Sequence, residues 1–359
     1  MRLLIATDAW HPQVNGVVRS LDTVAGEIRK LGHEVHILSP DDFRTWPCPT
    51  YPEIRLAVLP GRRLGRLIDA MAPTSIHIAT EGPIGLAARH YCVKRGLAYT
   101  TSLHTRFPEY VHARTGLPVS WGYAVLRWFH GPATRVMVAT ETLGRELEAM
   151  GLHDLGLWSR GVDTALFHPR DKKFLDLPRP IALYVGRVAV EKNIGAFLKL
   201  KLPGTKLVVG DGPQLAMLRR HYRKVVFTGN LTGEDLARTY AAADVFVFPS
   251  RTDTFGNVIL EALASGVPVA AYPVAGPLDV IGDAPVGCLD ADLGVAVRRA
   301  LTVSPAICRA YADKFSWRES ALQFIGNLTP VTAQASMLAD DAPEDATPPA
   351  RPGGQSVLP

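Results

Sequence analysis

The sequence predicts an α/β protein in which parallel sheets are covered by helices on both faces. Short runs of β-branched and aliphatic residues alternate with stretches of helical spacing along most of the chain, which is the pattern of strand–helix–strand units. The alternation stops once, between residues 160 and 176, and then begins again. No apolar run approaches the roughly 18 residues of a membrane-spanning helix. A chain of 359 residues with one such seam predicts two domains of ordinary size.

The strands of the first half are predicted at Leu3–Thr7, Glu34–Leu38, Ile54–Leu59, Ser75–Ala79, Ala98–Leu103 and Arg135–Ala139. Those of the second half are predicted at Ile181–Val185, Lys206–Val209, Lys224–Phe227, Val245–Pro249 and Pro268–Tyr272. The clearest helix follows the first strand, because apolar residues recur at helical spacing from Val17 to Leu31 and Gly32 stands just past the end. A second helical pattern runs over Phe315–Leu328.

We predict two Rossmann-like domains that face each other across a cleft. Residues 1–165 form the first domain, residues 166–310 form the second, and a helix at about 311–328 packs back on the first. Residues 329–359 are rich in Pro, Ala, Asp and Gly and bury too little apolar surface to fold, so we expect a disordered tail. Ligands of open α/β sheets bind at the carboxyl ends of the strands. Two facing domains therefore bring both sets of loops to one site.

Composition and charge exclude several classes of protein. The four cysteines lie far apart, at Cys48, Cys92, Cys288 and Cys308, which argues against a disulfide framework or a zinc site. The eleven histidines show no metal-ligand spacing. The net charge of +5 suits anionic substrates or an anionic membrane surface, but it is too diffuse to indicate nucleic acid. The first apolar run is too short for a signal peptide, so we expect a cytoplasmic protein.

Two cations follow the first strand of the second half. Arg187 and Lys192 lie in Y-V-G-R-V-A-V-E-K-N, on a loop at the carboxyl end of that strand. Arginine can grip phosphate oxygens with two hydrogen bonds and lysine acts as a point charge, so the pair suits a diphosphate. The alternative is a solvated surface pair, and Glu191 could neutralise either cation.

Two carboxylates follow in S-R-T-D-T-F-G-N-V-I-L-E-A-L-A-S-G-V-P-V. If a helix begins near Gly256, Asp253 lies on the loop before it and Glu261 lies inside it, so the two can hold different parts of one ligand. A glutamate inside an apolar stretch is costly unless it is paired. The alternative is a surface glutamate on an amphipathic helix, which the apolar neighbours make the weaker interpretation.

The first half offers two weaker signals. Asn15 and Gly16 follow the first strand and open a helix, where a glycine lets the backbone approach a ligand and the helix terminus favours negative charge. An ordinary strand–helix turn explains them equally. His104 closes the strand A-Y-T-T-S-L and could bind a substrate hydroxyl or transfer a proton, although a structural histidine fits as well.

Together these residues resemble the retaining glycosyltransferases of family four, which have the GT-B fold. The resemblance runs from Arg2 to about Leu328 and rests on N-G-V-V-R, S-L-H-T-R-F-P-E-Y, R-G-V-D-T-A-L-F-H-P, G-R-V-A-V-E-K-N, G-D-G-P, T-G-N-L and D-T-F-G-N-V-I-L-E-A-L-A-S-G-V-P-V. T-D-T-F-G-N and W-S-R-G-V-D are most similar to the branch with aspartate as the first acid. That branch includes glycolipid synthases and GDP-mannose-dependent mannosyltransferases.

The resemblance implies a role for each candidate residue. Arg187 and Lys192 would neutralise the donor diphosphate, Glu261 would accept hydrogen bonds from the ribose, and His104 would lie over the sugar. The remaining donor-binding set is Asn15, Gly16, Arg160, Asp253, Phe255, Gly256 and Asn257, with Gly229, Asn230 and Leu231 near the base. In this family the departing phosphate oxygen is thought to take the acceptor's proton. The resemblance therefore implies no protein nucleophile, no cofactor and no metal.

Two segments of the first half predict a lipid-facing surface. Gly61–Met71 combines three arginines with apolar residues, and Trp121–Phe129 is dense in aromatics, as in helices that lie on anionic bilayers. Ordinary amphipathic helices packed on the sheet are the alternative for each. With the glycolipid-like motifs, they favour a lipid acceptor and a peripheral position on the inner face of the plasma membrane.

We therefore predict a retaining hexosyltransferase that moves a hexose or uronic acid from a nucleotide sugar to a lipid such as diacylglycerol. A mannosyl- or glucosyltransferase with a saccharide acceptor is the nearest alternative. A nucleotide-sugar epimerase and a non-catalytic nucleotide-binding module are the others. The sequence leaves open whether the donor carries UDP or GDP, and which sugar it carries.

Overall fold

The computed structural model describes residues 1–13, 15–48, 51–104 and 106–331, apart from the side chains of residues 51–53, 110, 113 and 114. Within these ranges the chain forms two six-stranded sheets and one two-stranded sheet. All strand pairs of both large sheets are parallel. The predicted α/β class with two Rossmann-like domains is confirmed. Residues 332–359, which hold most of the predicted tail, lie outside the described ranges.

The first domain contains β1 (Arg2–Ala6), β2 (Glu34–Leu38), β3 (Thr45–Cys48), β4 (Tyr51–Ala57), β5 (Ser75–Ile78), β6 (Thr100–Leu103), β7 (Arg135–Val138) and β8 (Leu155–Leu157). Its helices are α1 (Gly16–Lys30), α2 (Gly61–Met71), α3 (Pro83–Arg95), α4 (Phe107–Thr115), α5 (Val119–His130) and α6 (Glu141–Ala149). The sheet order is β2-β1-β5-β6-β7-β8.

The second domain contains β9 (Ile181–Val185), β10 (Thr205–Val209), β11 (Val226–Gly229), β12 (Val245–Phe248), β13 (Val269–Ala271) and β14 (Gly287–Leu289). Its helices are α7 (Ile194–Lys199), α8 (Leu215–His221), α9 (Gly233–Ala242), α10 (Asn257–Ala264), α11 (Ala275–Val280), α12 (Leu293–Ala300) and α13 (Pro305–Ala312), and α14 (Trp317–Asn327) follows them. The sheet order is β11-β10-β9-β12-β13-β14.

Four strands depart from the sequence prediction. The predicted strand Ile54–Leu59 is not part of the parallel sheet; it overlaps β4, which pairs antiparallel with β3. Strands β3, β8 and β14 were not predicted. Both β8 and β14 have three residues, contain a glycine and pair with one neighbour at the edge of their sheet. Segments this short carry too little alternation to be recognised.

The predicted helix at the end of the folded chain is confirmed as α14, and it packs on α1 of the first domain. Its Phe324 is buried with Trp158 between the first sheet and these helices. The Trp158 indole nitrogen donates to Ser320 of the same helix at 3.1 Å. The chain then continues past the predicted end of the fold, since the Val331 amide donates to the Thr74 carbonyl at 2.8 Å.

The chain crosses between the domains in two adjacent segments. The Val162 amide, on the way out of the first domain, donates to the carbonyl of Phe315, on the way back, at 3.0 Å. Gly161 lies so close to the returning segment that an added Cβ would be 2.4 Å from the Trp317 nitrogen. A glycine is therefore required there. The two crossings are in direct contact.

Candidate active site

Two loops of the second domain are held together at the carboxyl ends of neighbouring strands. Lys192 follows β9, Asp253 follows β12, and their side chains form an ion pair. The Asn193 amide group donates to the Pro249 carbonyl at 3.0 Å, and the Thr252 hydroxyl donates to the Glu191 carbonyl at 3.3 Å. The structure therefore brings a predicted cation and a predicted carboxylate into one cluster.

Arg187 lies on the same loop after β9 and is half-buried. Its carbonyl accepts a hydrogen bond from the Tyr184 hydroxyl at 2.7 Å. Burial, followed by the charges of Asp253 and Glu191, raises the pKa of Tyr184 well above its ordinary value. Tyr184 therefore remains protonated and acts as a fixed donor beneath the cluster, a contact that sequence reasoning missed.

Helix α10 begins shortly after Asp253, so its N-terminus lies next to this cluster. Gly256 precedes the helix with φ of 88°, a conformation that favours glycine, and an added Cβ would lie 3.0 Å from the Phe248 ring. Phe255 is buried in the core and anchors the turn. Among the residues that the structure describes, no side chain caps the first amides of this helix. Such amides form a site for an anion or a hydroxyl oxygen.

Glu261 lies inside α10 and is buried, with 5% of its side chain exposed. The Arg19 guanidinium, from α1 of the first domain, lies 2.5 Å from its Oε1. Burial raises the pKa of Glu261, while Arg19 and the hydroxyl of Tyr240 oppose that rise. The expectation of a partnered glutamate inside the helix is confirmed, but the partner Arg19 was not predicted.

The N-terminus of α1 faces α10 across the cleft. The Asn15 side chain caps α1 by accepting from the amides of Val17 and Val18, both at 3.0 Å. An added Cβ on Gly16 would be 3.8 Å from the Asn257 side-chain nitrogen, an ordinary contact distance. That nitrogen donates to the Ser20 hydroxyl at 3.1 Å. Asn15, Gly16 and Asn257 are therefore brought together, and Asn15 has a structural function in capping.

His104 is the end of a buried hydrogen-bond chain in the first domain. Arg160 donates to His104 Nδ1 at 3.3 Å, and arginine has no acceptor, so the ring proton lies on Nε2. That nitrogen donates to the Ser102 hydroxyl at 2.8 Å, which lies 3.1 Å from His77 Nε2. Both ring nitrogens of His104 are thus engaged within their own domain.

The charge state of this chain follows from its burial. Burial, then Arg160 and the neighbouring histidines, lower the pKa of His104 well below its ordinary value. The pKa of His77 falls to about 3, chiefly through burial. Burial lowers the pKa of Arg160 to about 9, which leaves it charged at neutral pH, and its guanidinium lies 3.9 Å from the centre of the Trp158 ring. His104 is therefore neutral under ordinary conditions.

Further contacts join the two domains across the cleft. The Thr254 hydroxyl donates to the His104 carbonyl at 2.9 Å, so the loop carrying Asp253 reaches the end of β6. The Thr142 hydroxyl donates to Asp279 at 2.5 Å. The predicted residues Gly229, Asn230 and Leu231 lie at the end of β11, the outer strand of the second sheet. Among the described residues they share no hydrogen bond or ion pair with the groups of the cleft.

Helix α5 exposes an apolar ridge on the first domain. Trp121 and Trp128 have 65% and 56% of their surface exposed, and Val125 between them is also exposed. The neighbouring α4 adds exposed Phe107 and Val111. These five residues, Phe107, Val111, Trp121, Val125 and Trp128, are called the apolar ridge below. A ridge of this kind on a folded protein marks a candidate contact surface.

Helix α2 does not expose an apolar face. Leu64 and Ile68 are buried, and Leu67 and Met71 pack against the same core, so the apolar part of Gly61–Met71 is used inside the domain. Its arginines, Arg62, Arg63 and Arg66, are exposed. The prediction of a mixed basic and apolar surface on this helix is wrong in its apolar part. None of the described helices is long and apolar enough to cross a bilayer.

The two halves of the chain match two family descriptions. Residues 14–166 match the family described as Glycosyltransferase Family 4, and residues 179–313 match that described as Glycosyl transferases group 1. A GDP-mannose-dependent alpha-mannosyltransferase of Mycobacterium tuberculosis is 30% identical over 309 residues, which cover 78% of this chain and 81% of the relative.

Two other relatives carry different names. The sulfoquinovosyl transferase SQD2 of Arabidopsis thaliana is 30% identical over 301 residues, which cover 75% of this chain; the match spans only 58% of that longer protein. An alpha-monoglucosyldiacylglycerol synthase of Streptococcus pneumoniae is 27% identical over 353 residues, with 85% of this chain and 79% of the relative covered.

The fold also has a close match among solved structures. A sucrose-phosphate synthase of Thermosynechococcus elongatus superposes with a TM-score of 0.71 at 22% identity, and the match covers 91% of this chain and 98% of that one. At this identity the likeness concerns the fold. Together with the two family matches, it confirms the GT-B architecture predicted from the sequence.

Proposed function

The chain belongs to glycosyltransferase family 4, whose enzymes transfer a sugar from a nucleotide sugar, and we propose that it transfers a hexose or uronic acid, with retention of configuration, to a lipid such as diacylglycerol. The convergence of both domains on one cleft is the observation that carries the proposal. The loop of Asp253, which pairs with Lys192, leads into the uncapped end of α10, and Thr254 of that loop donates to the His104 carbonyl of the first domain. Charged side chains and backbone polar groups thus lie together at the carboxyl ends of two facing sheets.

In this proposal each charged group acts on the charge that develops during transfer. As the bond from the sugar C1 to the diphosphate breaks, negative charge accumulates on the diphosphate, and Arg187 and Lys192 stabilise it. The uncapped amides of α10 and Asp253 hold the sugar. The acceptor hydroxyl oxygen bonds to C1 on the face that the diphosphate leaves, and its proton passes to the departing phosphate oxygen. This route uses no protein nucleophile, cofactor or metal.

His104 contributes through its backbone in this proposal. Because both of its ring nitrogens are held by Arg160 and Ser102, the group directed towards the second domain is its carbonyl, which accepts from Thr254. A carbonyl at that place stabilises positive charge on the sugar ring as the bond to phosphate lengthens. The neutral, fixed imidazole then serves to hold the end of β6.

Two observations support a lipid acceptor. The relative from Streptococcus pneumoniae is named for the synthesis of a glucosyl diacylglycerol. The apolar ridge lies on the first domain, whereas the loop that carries Arg187 and Lys192 lies on the second. The Arg89 guanidinium lies 4.2 Å from the centre of the Trp128 ring, and exposed aromatic side chains beside an arginine suit the interfacial region of an anionic bilayer. We therefore propose that the protein acts at the cytoplasmic face of a membrane, as a peripheral protein.

The experiment is transfer from UDP- and GDP-linked sugars to diacylglycerol in mixed micelles, with a soluble saccharide as the second acceptor. A lipid product whose anomeric proton coupling matches that of the donor supports the proposal. A product of inverted configuration contradicts retention, and transfer to neither acceptor contradicts the whole assignment.

A saccharide acceptor is the second candidate. The GDP-mannose-dependent relative, which is covered over 81% of its length, is named for its donor and not for a lipid acceptor, so its name is compatible with this alternative. Transfer in the same assay to the saccharide alone, with GDP-mannose as the donor, identifies this alternative.

A further inference from the structure

Arg19 is the last residue of N-G-V-V-R, and no role was predicted for it. It lies on α1 of the first domain, yet its guanidinium contacts Glu261 of the second domain at 2.5 Å. The Arg19 guanidinium also lies 5.6 Å from the centre of the Phe167 ring, which is buried. Arg19 itself keeps 44% of its side chain exposed. A half-exposed arginine thus reaches a buried carboxylate across the cleft and rests on an aromatic ring as it does so.

The buried carboxylate needs that charge. Glu261 is surrounded by apolar neighbours in α10, and one of its oxygens, Oε2, is fully buried and has no hydrogen-bond partner within the described ranges. Tyr240 of α9 faces the same carboxylate. Of the other charged groups on helices packed against α10, Arg309 of α13 donates to the carbonyls of Thr164, Phe167 and Ala264, and Asp279 of α11 accepts from Thr142. Arg19 is the cation that faces Glu261 among these described groups.

We propose that Arg19 is a donor-positioning residue, which keeps Glu261 ionised and oriented so that the carboxylate accepts a hydrogen bond from the ribose of the nucleotide. This inference rests on the proposed function, in which Glu261 receives the ribose. A carboxylate oxygen has two lone pairs, so Oε1 can accept from Arg19 and from a hydroxyl together. A hydroxyl bound to an ionised acceptor forms a bond about twice as strong as one bound to a neutral acceptor.

The position of Arg19 links closure of the domains to binding of the donor. Its side chain can reach Glu261 only while the first domain lies against the second, as the neighbouring bond from Asn257 to Ser20 also requires. The charge that prepares Glu261 for the ribose is therefore supplied by the acceptor-side domain. Donor affinity and domain closure are coupled through a single ion pair, as two sites are when each favours the same state.

The test compares nucleotides that differ only in the ribose. Binding of UDP and GDP, each beside its 2′,3′-dideoxy analogue, is measured by calorimetry for the wild type, Arg19→Met and Arg19→Lys. We expect Arg19→Met to weaken binding of the preferred nucleotide about tenfold, the difference between a charged and a neutral hydrogen bond. The dideoxy analogue should bind the wild type and Arg19→Met equally, and Arg19→Lys should retain most of the wild-type affinity.

Thr142→Val is the matched control, because it removes another hydrogen bond between the domains without touching Glu261. Its nucleotide affinity should fall by much less than that of Arg19→Met, because closure is weakened while the ion pair with Glu261 is kept. Unchanged or tighter binding by Arg19→Met overturns the inference, and so does an equal loss with the dideoxy analogue, which would mean a general effect of charge or closure. A wild type that binds neither UDP nor GDP overturns the proposed function, whereas a wild type that binds and is indifferent to Arg19 overturns this inference alone.

Discussion

The two domains have the same arrangement of central strands, in which β2 of the first sheet corresponds to β10 of the second. They differ in what lies on the outer side of these two strands. In the second domain that position is filled by β11, which continues the parallel sheet. In the first domain the chain after β2 leaves the sheet, forms the antiparallel β3–β4 hairpin and enters α2. The difference teaches that one alternating sequence pattern supports both outcomes, since a strand's own residues do not specify its partner.

The cleft edges of the domains differ in a second way. The charged groups of the second domain, Lys192, Asp253 and Glu261, find partners on a neighbouring loop or across the cleft. The polar groups of the first domain, His104 and Arg160, find theirs inside their own domain. We therefore expect substitutions of Lys192 to remove activity from an intact fold, and substitutions of Arg160 to act largely through the framework.

The largest effect is expected from the loop that carries Arg187 and Lys192. Lys192→Ala or Arg187→Ala should lower transferase activity at least ~100-fold, as expected for loss of a charge contact to the leaving group, while the melting temperature stays close to that of the wild type. Lys199→Ala is the matched control, because Lys199 is exposed at the far end of α7. Wild-type turnover of either loop variant would contradict the assigned role.

A framework effect is expected from Arg160. Arg160→Met removes the donor to His104 Nδ1 and the cation beside Trp158, and leaving a buried acceptor without a donor costs about 1–3 kcal/mol. Urea denaturation measures this loss. The pKa of His104 should rise, because Arg160 is one of the charges that lower it, and NMR titration of the ring detects the change. A stable variant with an unshifted His104 would show that the hydrogen-bond chain carries no such constraint.

A smaller effect on stability is expected from a substitution of Glu261, and it should be a gain where that of Arg160 is a loss. Burial raises its pKa above the value in the unfolded chain, so the stability linked to this group is present below the unfolded pKa and is lost as the pH rises through the folded pKa. Glu261→Gln cannot ionise, and without nucleotide it should melt higher than the wild type at pH 8, with the difference vanishing near pH 4. Activity should fall at the same time. A Gln variant that melts lower at pH 8 would mean that the ion pair with Arg19 outweighs the cost of burial.

The smallest effect on the fold is expected at the apolar ridge. Trp121→Ser with Trp128→Ser should leave stability within about 0.5 kcal/mol for each, as is usual for exposed positions, yet should reduce flotation with anionic liposomes at low salt. Met217→Ser is the control, since Met217 is an exposed apolar residue of the second domain. If the wild type does not float, or the double variant floats equally well, the peripheral-membrane proposal is wrong.

The same contrast explains how much the sequence could predict. The sequence alone predicts that charged side chains just after strands, such as Lys192 and Asp253, lie close together, because the carboxyl ends of adjacent parallel strands share one edge of the sheet. Arg19 was missed because its partner Glu261 is distant in the chain and no local pattern joins α1 to α10. The apolar side of α2 was misjudged for a related reason, since periodicity shows that a helix has an apolar face and not whether the domain already covers it.

The paired crossings have a mechanical consequence. Because the outgoing segment at Val162 is hydrogen-bonded to the returning segment at Phe315, with Gly161 packed against the latter, the domains are joined by a double connection. We expect such a double connection to resist twisting and sliding between the domains more than a single one would.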